Sequence, residues 1–287
     1  MSLSIVTNVQ SLKVQQNLTA ATNKLNSAIE RMTTGYKINS AKDDAAGYNI
    51  AQKMDTKLSA YDVAANNAQI GLDMLTTTEE NYGLINEHLQ RVRDLTEQAA
   101  NGTYSDDSRA AIKAEIQSRL EEIDRIAGSA EYNGMILMNG SLNSGTNPGI
   151  NIQVGINGDN NSKISLDGSL FAKATATSLT GAASKADFAA ACSAADTAAA
   201  QLAAIDSAIA GISTRVTTLG ATQNRLESAI DSIQVTTENL TSSLSTVRDA
   251  DVANESTRYL QAQILQSAAT TLLSTANQTP SIALQLI

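Results

Sequence analysis

Few residues in this 287-residue chain could carry out catalysis or bind a metal ion. His88 is the only histidine and Cys192 is the only cysteine, so neither a multi-histidine zinc site nor an internal disulfide can form. No glycine-rich loop that could cradle a phosphate is present, and no Ser/His/Asp set stands in a suitable context. We therefore expect no enzymatic activity, no cofactor and no metal site, with Cys192 acting as a small apolar residue.

Three pairs of adjacent carboxylates remain as groups that could act as acid and base. They are Asp43-Asp44, Asp106-Asp107 and Glu121-Glu122. The first two pairs stand where helices are predicted to begin, and carboxylates in that position are stabilised by the helix dipole. The third pair lies on a solvated helix face. Ordinary helix chemistry accounts for all three pairs, so they do not indicate a catalytic site.

The composition argues against partners that are nucleic acids or membranes. The net charge is −9, with 29 acidic and 20 basic residues, whereas nucleic-acid affinity depends on Lys and Arg that neutralise phosphates. No stretch approaches the roughly 18 to 20 apolar residues that span a bilayer. The first residues lack a charged segment followed by a long apolar run, so we expect no cleavable secretory signal.

Apolar residues near both ends of the sequence recur at steps of three and four, which is typical of helices that pack along one narrow face. The first series predicts a helix that stops at Gly35, and the second predicts a helix that ends before Pro280. The first series is Val14, Leu18, Ala21, Leu25, Ala28 and Met32. The second series is Ala262, Leu265, Ala269, Leu272 and Ala276.

Three further helices are predicted between these ends. A long helix runs from about 43 to 100 with Ser40 as its N-cap, and a shorter one follows at about 105–128. A second long helix runs over about 184–247 and begins with Ser184 in a capping box. Twelve of the fourteen positions in its three-and-four series are Leu, Ile or Val, which makes this the strongest helical pattern in the chain.

The segment of about 131–170 has a different pattern. It holds several Asn-Gly and Asp-Gly turn signals, and apolar residues alternate with polar ones from Ile150 to Ile156. Residues 163–166 could supply the second strand of a hairpin. The predicted fold class is therefore mainly α: a long antiparallel helical rod or coiled coil formed by the N- and C-terminal segments, with a small β-hairpin region at its tip.

This pattern divides the chain into two predicted domains. Residues 1–42 and 250–287 form a terminal coiled-coil domain, and residues 43–183 and 184–249 form a rod domain. Each terminal helix alone is marginal, because isolated helices gain little from propensity. Two interpretations remain open: the terminal helices complete their packing against neighbouring subunits, or they form a free-standing intramolecular bundle with frayed ends.

Several long motifs resemble those of bacterial flagellins, and they occur in the same order. Residues 38–47 (INSAKDDAAG) are similar to the flagellin signature at the start of the first long helix. Residues 89–101 resemble a second signature, and residues 122–134 a third. In the C-terminal half the similar stretches are 219–226, 248–251 and 261–265. The resemblance covers about 1–170 and 200–287, which leaves about 171–200 as a reduced version of the family's variable segment.

The resemblance implies a structural subunit that self-assembles into an extracellular flagellar filament for motility. Its partners would be other copies of itself, the filament cap and hook-associated proteins, and a secretion chaperone at the C-terminal helix. Export would proceed unfolded through the flagellar type III apparatus. The residues expected to assemble the terminal core are Val14, Leu18, Leu25, Met32, Leu265 and Leu272.

The resemblance also implies a patch that the Toll-like flagellin receptor of hosts binds in the monomer and that packs between subunits in the polymer. Its six residues are Gln90, Arg91, Leu95, Gln98, Glu115 and Arg119. The chain departs from the family at Tyr36, where Leu is common, at the unusual Cys192, and in the tail 284–287, which lacks the common terminal Arg. The tail puts any transfer of detailed C-terminal contacts in doubt.

Two other functions are compatible with these patterns. A hook-associated protein of the hook–filament junction shares the terminal helices but occurs in few copies per filament. An adhesin or signalling ligand would have receptor binding as its main role. The long signature at 90–101 favours a flagellin over the hook-associated protein, and loss of binding without loss of motility would support the adhesin or signalling ligand.

Overall fold

The computed structural model describes residues 7–144, 147–192 and 195–285. Seven α-helices and five strands are assigned within these residues, together with two short 3₁₀ turns at 160–162 and 168–171. The helices are α1 (Val9–Thr34), α2 (Ala45–Ala100), α3 (Asp106–Ser129), α4 (Ala176–Thr180), α5 (Lys185–Ala191), α6 (Ala195–Arg248) and α7 (Val252–Gln285). The strands are β1 (Glu131–Tyr132), β2 (Met135–Ile136), β3 (Asn143–Ser144), β4 (Asn147–Gln153) and β5 (Lys163–Asp167). The predicted fold class, mainly α with a small antiparallel β region, is confirmed.

The chain divides into two compact units. The terminal unit comprises Met1–Leu58 and Glu238–Ile287, and the middle unit comprises Ser59–Thr237. The divisions fall inside α2 and α6, whereas the sequence placed its boundaries at the helix ends near 42 and 250. Both helices continue through the division because their apolar series has no break there.

In the terminal unit, α1 and α7 lie side by side and antiparallel. The Asn8 side chain donates to the carbonyl of Ala276 over 2.7 Å, and the Gln266 amide donates to the Thr22 hydroxyl over 3.1 Å. At the other end, Arg31 pairs with Glu255. The Asn8 carboxamide also caps α1 by accepting from the Ser11 amide. The predicted pairing of the two chain ends is therefore present within one molecule.

Gly35 ends α1 as predicted, in a left-handed conformation with φ of 76° that glycine adopts without steric cost. The chain after it pairs with the segment between α6 and α7. The Lys37 amide donates to the Arg248 carbonyl over 2.7 Å, and the Ala250 amide donates to the Gly35 carbonyl over 2.8 Å. We call these two paired segments, residues 35–44 and 249–251, the connector pair.

The helix α2 begins at Ala45, so the prediction of a cap at Ser40 was wrong. Asp44 caps the helix instead, and its carboxylate accepts from the amides of Ala46 and Gly47 at 3.0 Å each. Ser40 is occupied in the preceding turn, where its amide and hydroxyl both donate to Asp43. Asp44 caps α2 in preference to Ser40 because its carboxylate lies directly before the first free amides of the helix.

The core of the middle unit is built from α2, α3 and α6. Ser105 caps α3 by accepting from the Ser108 amide. The largest fully buried side chains of α2 and α3 are Leu75, Tyr82, Ile85, Leu89, Leu95, Ile116, Leu120 and Ile123. The same cluster takes in Ile205, Ile212, Leu219 and Leu226 of α6, which belong to the strong apolar series predicted from the sequence.

The predicted hairpin is confirmed as the antiparallel pair β4–β5, with Ile150 opposite Leu166 and Ile152 opposite Ile164. It packs on α2 at Gly71, where an added Cβ would lie 2.2 Å from the Cδ1 atom of Ile152. The two-residue pair β1–β2 and the strand β3 are additional β structure that the sequence did not indicate. These strands could not be predicted because each has only two residues, which is too short to show an alternation of apolar and polar side chains.

The segment that follows the hairpin is more buried than its Ala- and Ser-rich sequence suggests. Phe171, Phe188 and Cys192 are fully buried. The predicted helix of 184–247 is two helices, because α5 ends at Ala191 and α6 begins at Ala195. Ser184 does cap α5, accepting from the Asp187 amide as the capping box predicted. At the C-terminal end, α7 continues through Pro280 to Gln285, which corrects the earlier predicted stop.

Candidate functional site

The contact between α1 and α7 is made largely by small side chains. Ala21 and Ala28 of α1 are buried against Ala262 and Ala269 of α7. Alanine allows two helix backbones to approach closely, but it buries little apolar area per residue. Several of the larger aliphatic side chains of both helices therefore remain outside this contact.

These exposed side chains form what we call the outer aliphatic set. It consists of Val9, Leu12, Ile29 and Met32 on α1 and of Val252, Leu260, Ile264, Leu265 and Leu272 on α7. Ile264 is the most exposed, at 68%, and Leu272 reaches 58%. An exposed Leu on its own is unremarkable, but several large aliphatics on one helix pair are typical of a surface that another chain covers.

The structure separates the six residues expected to assemble the terminal core into two groups. Val14, Leu18 and Leu25 are half-buried at the α1–α7 contact. Met32, Leu265 and Leu272 are exposed and belong to the outer aliphatic set. On α7 the side that faces α1 carries Tyr259, Ala262, Gln266, Ala269, Leu273 and Ala276. Leu265 and Leu272 each lie one position before a member of that series, so they point elsewhere.

A buried carboxylate lies at one end of the α1–α7 contact, and the sequence analysis did not identify it. Glu255 is 5% exposed, and it pairs with Arg258 at 2.8 Å and with Arg31 of α1 at 3.5 Å. Burying a charged group away from water is costly unless the group is paired and hydrogen-bonded, as Glu255 is here. The sequence spacing could have identified this residue. Glu255 lies four residues before Tyr259 and therefore continues the series of α7 residues that faces α1.

The structure brings together three of the six residues of the predicted receptor patch. The Arg91 Nε atom lies 2.9 Å from a Glu115 carboxylate oxygen, and Arg119 lies 3.6 Å from the same oxygen. Arg119 also approaches the His88 ring at 3.5 Å. The cluster links α2 to α3 on a half-exposed surface. Its pairs are solvated, so each stabilises the fold by under about 1 kcal/mol.

The other three residues of that patch are placed differently. Gln90 and Gln98 are exposed on α2. Leu95 is only 1% exposed and lies in the core of the middle unit. Its side chain therefore stabilises the helix that carries the patch, and it is not available at the surface of the monomer.

The flagellin-like motif of residues 38–47 forms most of the connector pair. Ile38 is buried, and an added Cβ at Gly47 would lie 2.7 Å from its Cδ1 atom. The Asp43 carboxylate accepts from the amides of Asn39 and Ser40. The Ser40 amide, followed by its hydroxyl, holds the pKa of Asp43 below its ordinary value of 3.8. The motif is a compact turn that requires these residue types.

Arg248, the last residue of α6, contacts residues from two segments next to the connector pair. Its guanidinium carbon lies 3.9 Å from the centroid of the Tyr36 ring, and one nitrogen lies 2.8 Å from an Asp55 oxygen. A guanidinium over an aromatic face is attracted by the ring quadrupole. Tyr36, one of the departures from the family pattern, therefore has a specific contact here.

Cys192 lies at the junction of α5 and α6. Its Sγ atom is 3.8 Å from the Thr96 hydroxyl of α2, and burial raises the pKa of the thiol above its ordinary value. A buried thiol of raised pKa is a poor nucleophile at neutral pH. Within the described ranges, no group of three or more His, Cys, Asp or Glu side chains could hold a metal ion.

No helix in the described part of the chain combines the length and apolar character needed to cross a bilayer.

The sequence matches two family profiles. The bacterial flagellin N-terminal helical region matches residues 5–143, and the C-terminal helical region matches residues 202–287. Flagellin of Listeria monocytogenes is 32% identical over 286 residues, 99% of each chain. The flagellar filament 30.7 kDa core protein of Treponema maltophilum is 31% identical over 94% of each chain.

Among solved structures, a flagellar hook-associated protein of Vibrio parahaemolyticus has a TM-score of 0.59, covering 72% of this chain and 100% of that chain. Its sequence identity is 18%, so this likeness concerns the fold alone.

The paired terminal helices, the small-residue contact and the outer aliphatic set define a class of helical structural subunit. The matches at both ends and the nearly full-length relatives make the assignment more specific. The chain belongs to the bacterial flagellin family.

Proposed function

We propose that this protein is the structural subunit of a bacterial flagellar filament, in which copies of the chain assemble into a helical homopolymer. The observation that carries the proposal is the outer aliphatic set: α1 and α7 bury alanines against each other and expose side chains such as Ile264 and Leu272. Covering one large aliphatic side chain stabilises a contact by about 1.5–3 kcal/mol. The full-length relative from Treponema maltophilum, whose name describes a filament core protein, supports the same assembly.

A concentration series tests this proposal. Purified protein, dissociated by heat or acid and returned to neutral pH, should regrow tubes that are visible by electron microscopy and that sediment. The double substitution Ile264→Gln with Leu272→Gln should raise the concentration needed for assembly at least tenfold while leaving helix content unchanged. Ser267→Gln is the matched control on α7, because it adds an amide without removing apolar surface. Wild-type protein that stays monomeric at every concentration would overturn the proposal.

We further propose that the subunit is exported unfolded through the flagellar type III apparatus and acts at the cell exterior, with cap and hook-associated proteins as further partners. The small α1–α7 contact supports this for the two chain ends, since little apolar burial holds the terminal helices folded before passage. A secretion chaperone would cover α7, whose exposed Leu260, Ile264 and Leu265 suit a hydrophobic groove. Deletion of the flagellar export apparatus should retain the protein in the cell.

The exposed part of the receptor patch supports a second role for the monomer, recognition by the Toll-like flagellin receptor. Arg91, Glu115 and Arg119 present charged groups in a fixed arrangement on α2 and α3. Arg91→Ala should weaken both polymerisation and receptor signalling. Arg91→Lys should recover little of either, because a lysine cannot reproduce the planar contacts of a guanidinium. Unchanged behaviour of Arg91→Ala in both assays would remove the patch from the proposal.

The alternative is a hook-associated protein, the role named for the Vibrio parahaemolyticus structure whose fold is similar. That likeness does not distinguish the two roles, because it rests on 18% identity, whereas flagellins match this chain at 32% over nearly its full length. Copy number in sheared filaments discriminates between them. The subunit should be the main protein of the filament, and a few copies per filament would instead favour the hook-associated role.

A further inference from the structure

The terminal unit contains a groove that the packing of α1 and α7 does not use. It lies where α2 begins and α6 ends, has a volume of about 510 Å³, and is lined by Ile50, Met54 and Leu240 together with the side chains of Lys53 and Lys57. Ile50 is 46% exposed. The groove thus combines an apolar floor with two cations, which stand one helical turn apart.

The nearby carboxylate does not neutralise these two lysines. Asp55 lies between them in sequence, but its carboxylate pairs with Arg248, the last residue of α6, at 2.8 Å. The groove rim therefore remains cationic in a protein whose net charge is −9. A ligand that fits it needs an apolar group flanked by negative charge.

The turn between α2 and α3 carries this combination. Tyr104 is 37% exposed, and the two carboxylates Asp106 and Asp107 follow it at the start of α3. The Asp106 side chain is fully exposed. Arg109 pairs with Asp106 at 3.3 Å, so the turn keeps one net negative charge. Tyr104 offers an aromatic ring with a polar tip, a residue type that is enriched at interfaces.

Hydrogen bonds already hold this turn in shape. The Asn101 carboxamide accepts from the amide and the hydroxyl of Thr103, and Ser105 caps α3. A turn that is ordered before binding loses little conformational entropy when it docks. It can therefore act as a rigid projection instead of a loop that must first be fixed.

We infer that the groove at Lys53 and Lys57 receives the Tyr104–Asp107 turn of a second copy of this chain. The Tyr104 ring packs on Ile50, Met54 and Leu240, and the carboxylates meet the two ammonium groups. This inference rests on the proposed function, because it names one of the contacts between copies in the polymer. The contact joins different surfaces of the two copies, so it is heterologous and propagates an open assembly.

Zero-length cross-linking tests the contact directly. Equal amounts of ¹⁴N- and ¹⁵N-labelled protein are polymerised together and treated with a carbodiimide, which joins a lysine amine to a carboxylate only when the two touch. Mass spectrometry should find mixed-isotope peptides that link Lys53 or Lys57 to Asp106 or Asp107, in polymer and not in monomer. Polymer in which these lysines are unlinked, or linked to other carboxylates, overturns the inference. Absence of polymer from the wild type instead counts against the proposed function.

Charge exchange gives a second, independent readout. Lys53→Glu with Lys57→Glu should slow filament growth at least tenfold, and so should Asp106→Lys with Asp107→Lys. An equal mixture of the two variants should recover growth, because each reversed groove then meets a reversed turn. Lys53→Arg with Lys57→Arg keeps both charges, so this variant should grow faster than the double glutamate variant. Failure of the mixture to recover growth overturns the proposed pairing.

Discussion

Glu255 shows how burial changes the contribution of an ion pair to the stability of the fold. Its carboxylate is withdrawn from water at the α1–α7 contact, and two arginines compensate its charge. Glu122 has a comparable pair with Arg125, with the two groups 3.0 Å apart at the Arg125 Nε atom, but on an exposed surface. The pKa of Glu122 is lowered by that hydrogen bond, yet solvent screens the interaction strongly. Removal of the Glu255 carboxylate should therefore lower the free energy of unfolding more than removal of the Glu122 carboxylate.

Glu255→Ala should destabilise the contact of α1 with α7 by about 1–3 kcal/mol, because Arg31 then loses its partner at a mostly buried position. Glu122→Ala is the matched control and should cost under about 1 kcal/mol. Hydrogen exchange of α1 and α7 amides in the monomer measures the first effect. Equal exchange rates in Glu255→Ala and wild type would show that the buried pair does not hold these helices together.

Asp43 makes the connector pair sensitive to acid. Its folded-state pKa lies below the ordinary value of 3.8, so its hydrogen bonds contribute fully above that value and are lost as the pH falls through the lowered pKa. Amide exchange at Asn39 and Ser40, corrected for the intrinsic rate, should rise as the pH falls below about 4. Asp43→Asn should remove this dependence, since a carboxamide does not titrate there. A wild-type profile that is flat down to pH 2 would contradict this assignment.

At the level of helices and strands, the β4–β5 hairpin packs closely on α2. Gly71 of α2 has no side chain, and Ile152 occupies the space beside it. A glycine in a helix interior costs about 0.5–1 kcal/mol relative to alanine. The close contact with Ile152 leaves no room for a Cβ atom at this position, which accounts for a glycine here despite its cost.

Gly71→Ala should destabilise the middle unit by about 1–3 kcal/mol, as overpacking does in a filled core. Gly83→Ala on the same helix is the control. Nothing lies within 4 Å of a Cβ there, so it should be neutral or stabilise by up to about 1 kcal/mol. Adding Ile152→Val removes the Cδ1 atom and should recover part of the loss. Urea unfolding of the four proteins measures the differences, and equal midpoints for the two alanine variants would refute the proposed fit.

The sequence allowed the helices and the hairpin to be predicted, because their apolar spacing and caps are local signals. The helix at about 105–128 and the helix stop at Gly35 were placed correctly for this reason. The orientation of α7 was harder, since alanines and leucines one position apart both fit a three-and-four series. Only contact with α1 decides that Ala262 is buried and Leu265 is not. Leu95 was likewise assigned to a surface patch because a motif does not reveal which of its side chains the fold covers.

For the whole molecule, the two compact units differ in how they are stabilised. The middle unit has a large core with Leu, Ile, Tyr and Phe side chains. The terminal unit relies on alanine contacts, a few polar bonds and the connector pair. Burial of small side chains provides less stabilisation per residue, so the two units should open with different free energies.

Hydrogen exchange followed by mass spectrometry should therefore show fast exchange of α1 and α7 in the monomer and slow exchange of α3 and of α2 near Leu89. On polymerisation, α1 and α7 should become protected at least tenfold, because neighbouring copies cover the outer aliphatic set. The core of the middle unit should change little. Protection of α1 and α7 in the monomer equal to that of α3 would mean that the terminal helices need no further partner.

The connector pair has a mechanical consequence. Residues 35–37 and 248–250 are bonded to each other, and Arg248 adds contacts to Tyr36 and Asp55. Rotation of α1 or α7 about its axis would therefore strain both segments of the connector pair at once, because hydrogen bonds join the two segments. In the proposed homopolymer, torque applied to α1 and α7 would pass into α2 and α6 together through these two hydrogen-bonded segments.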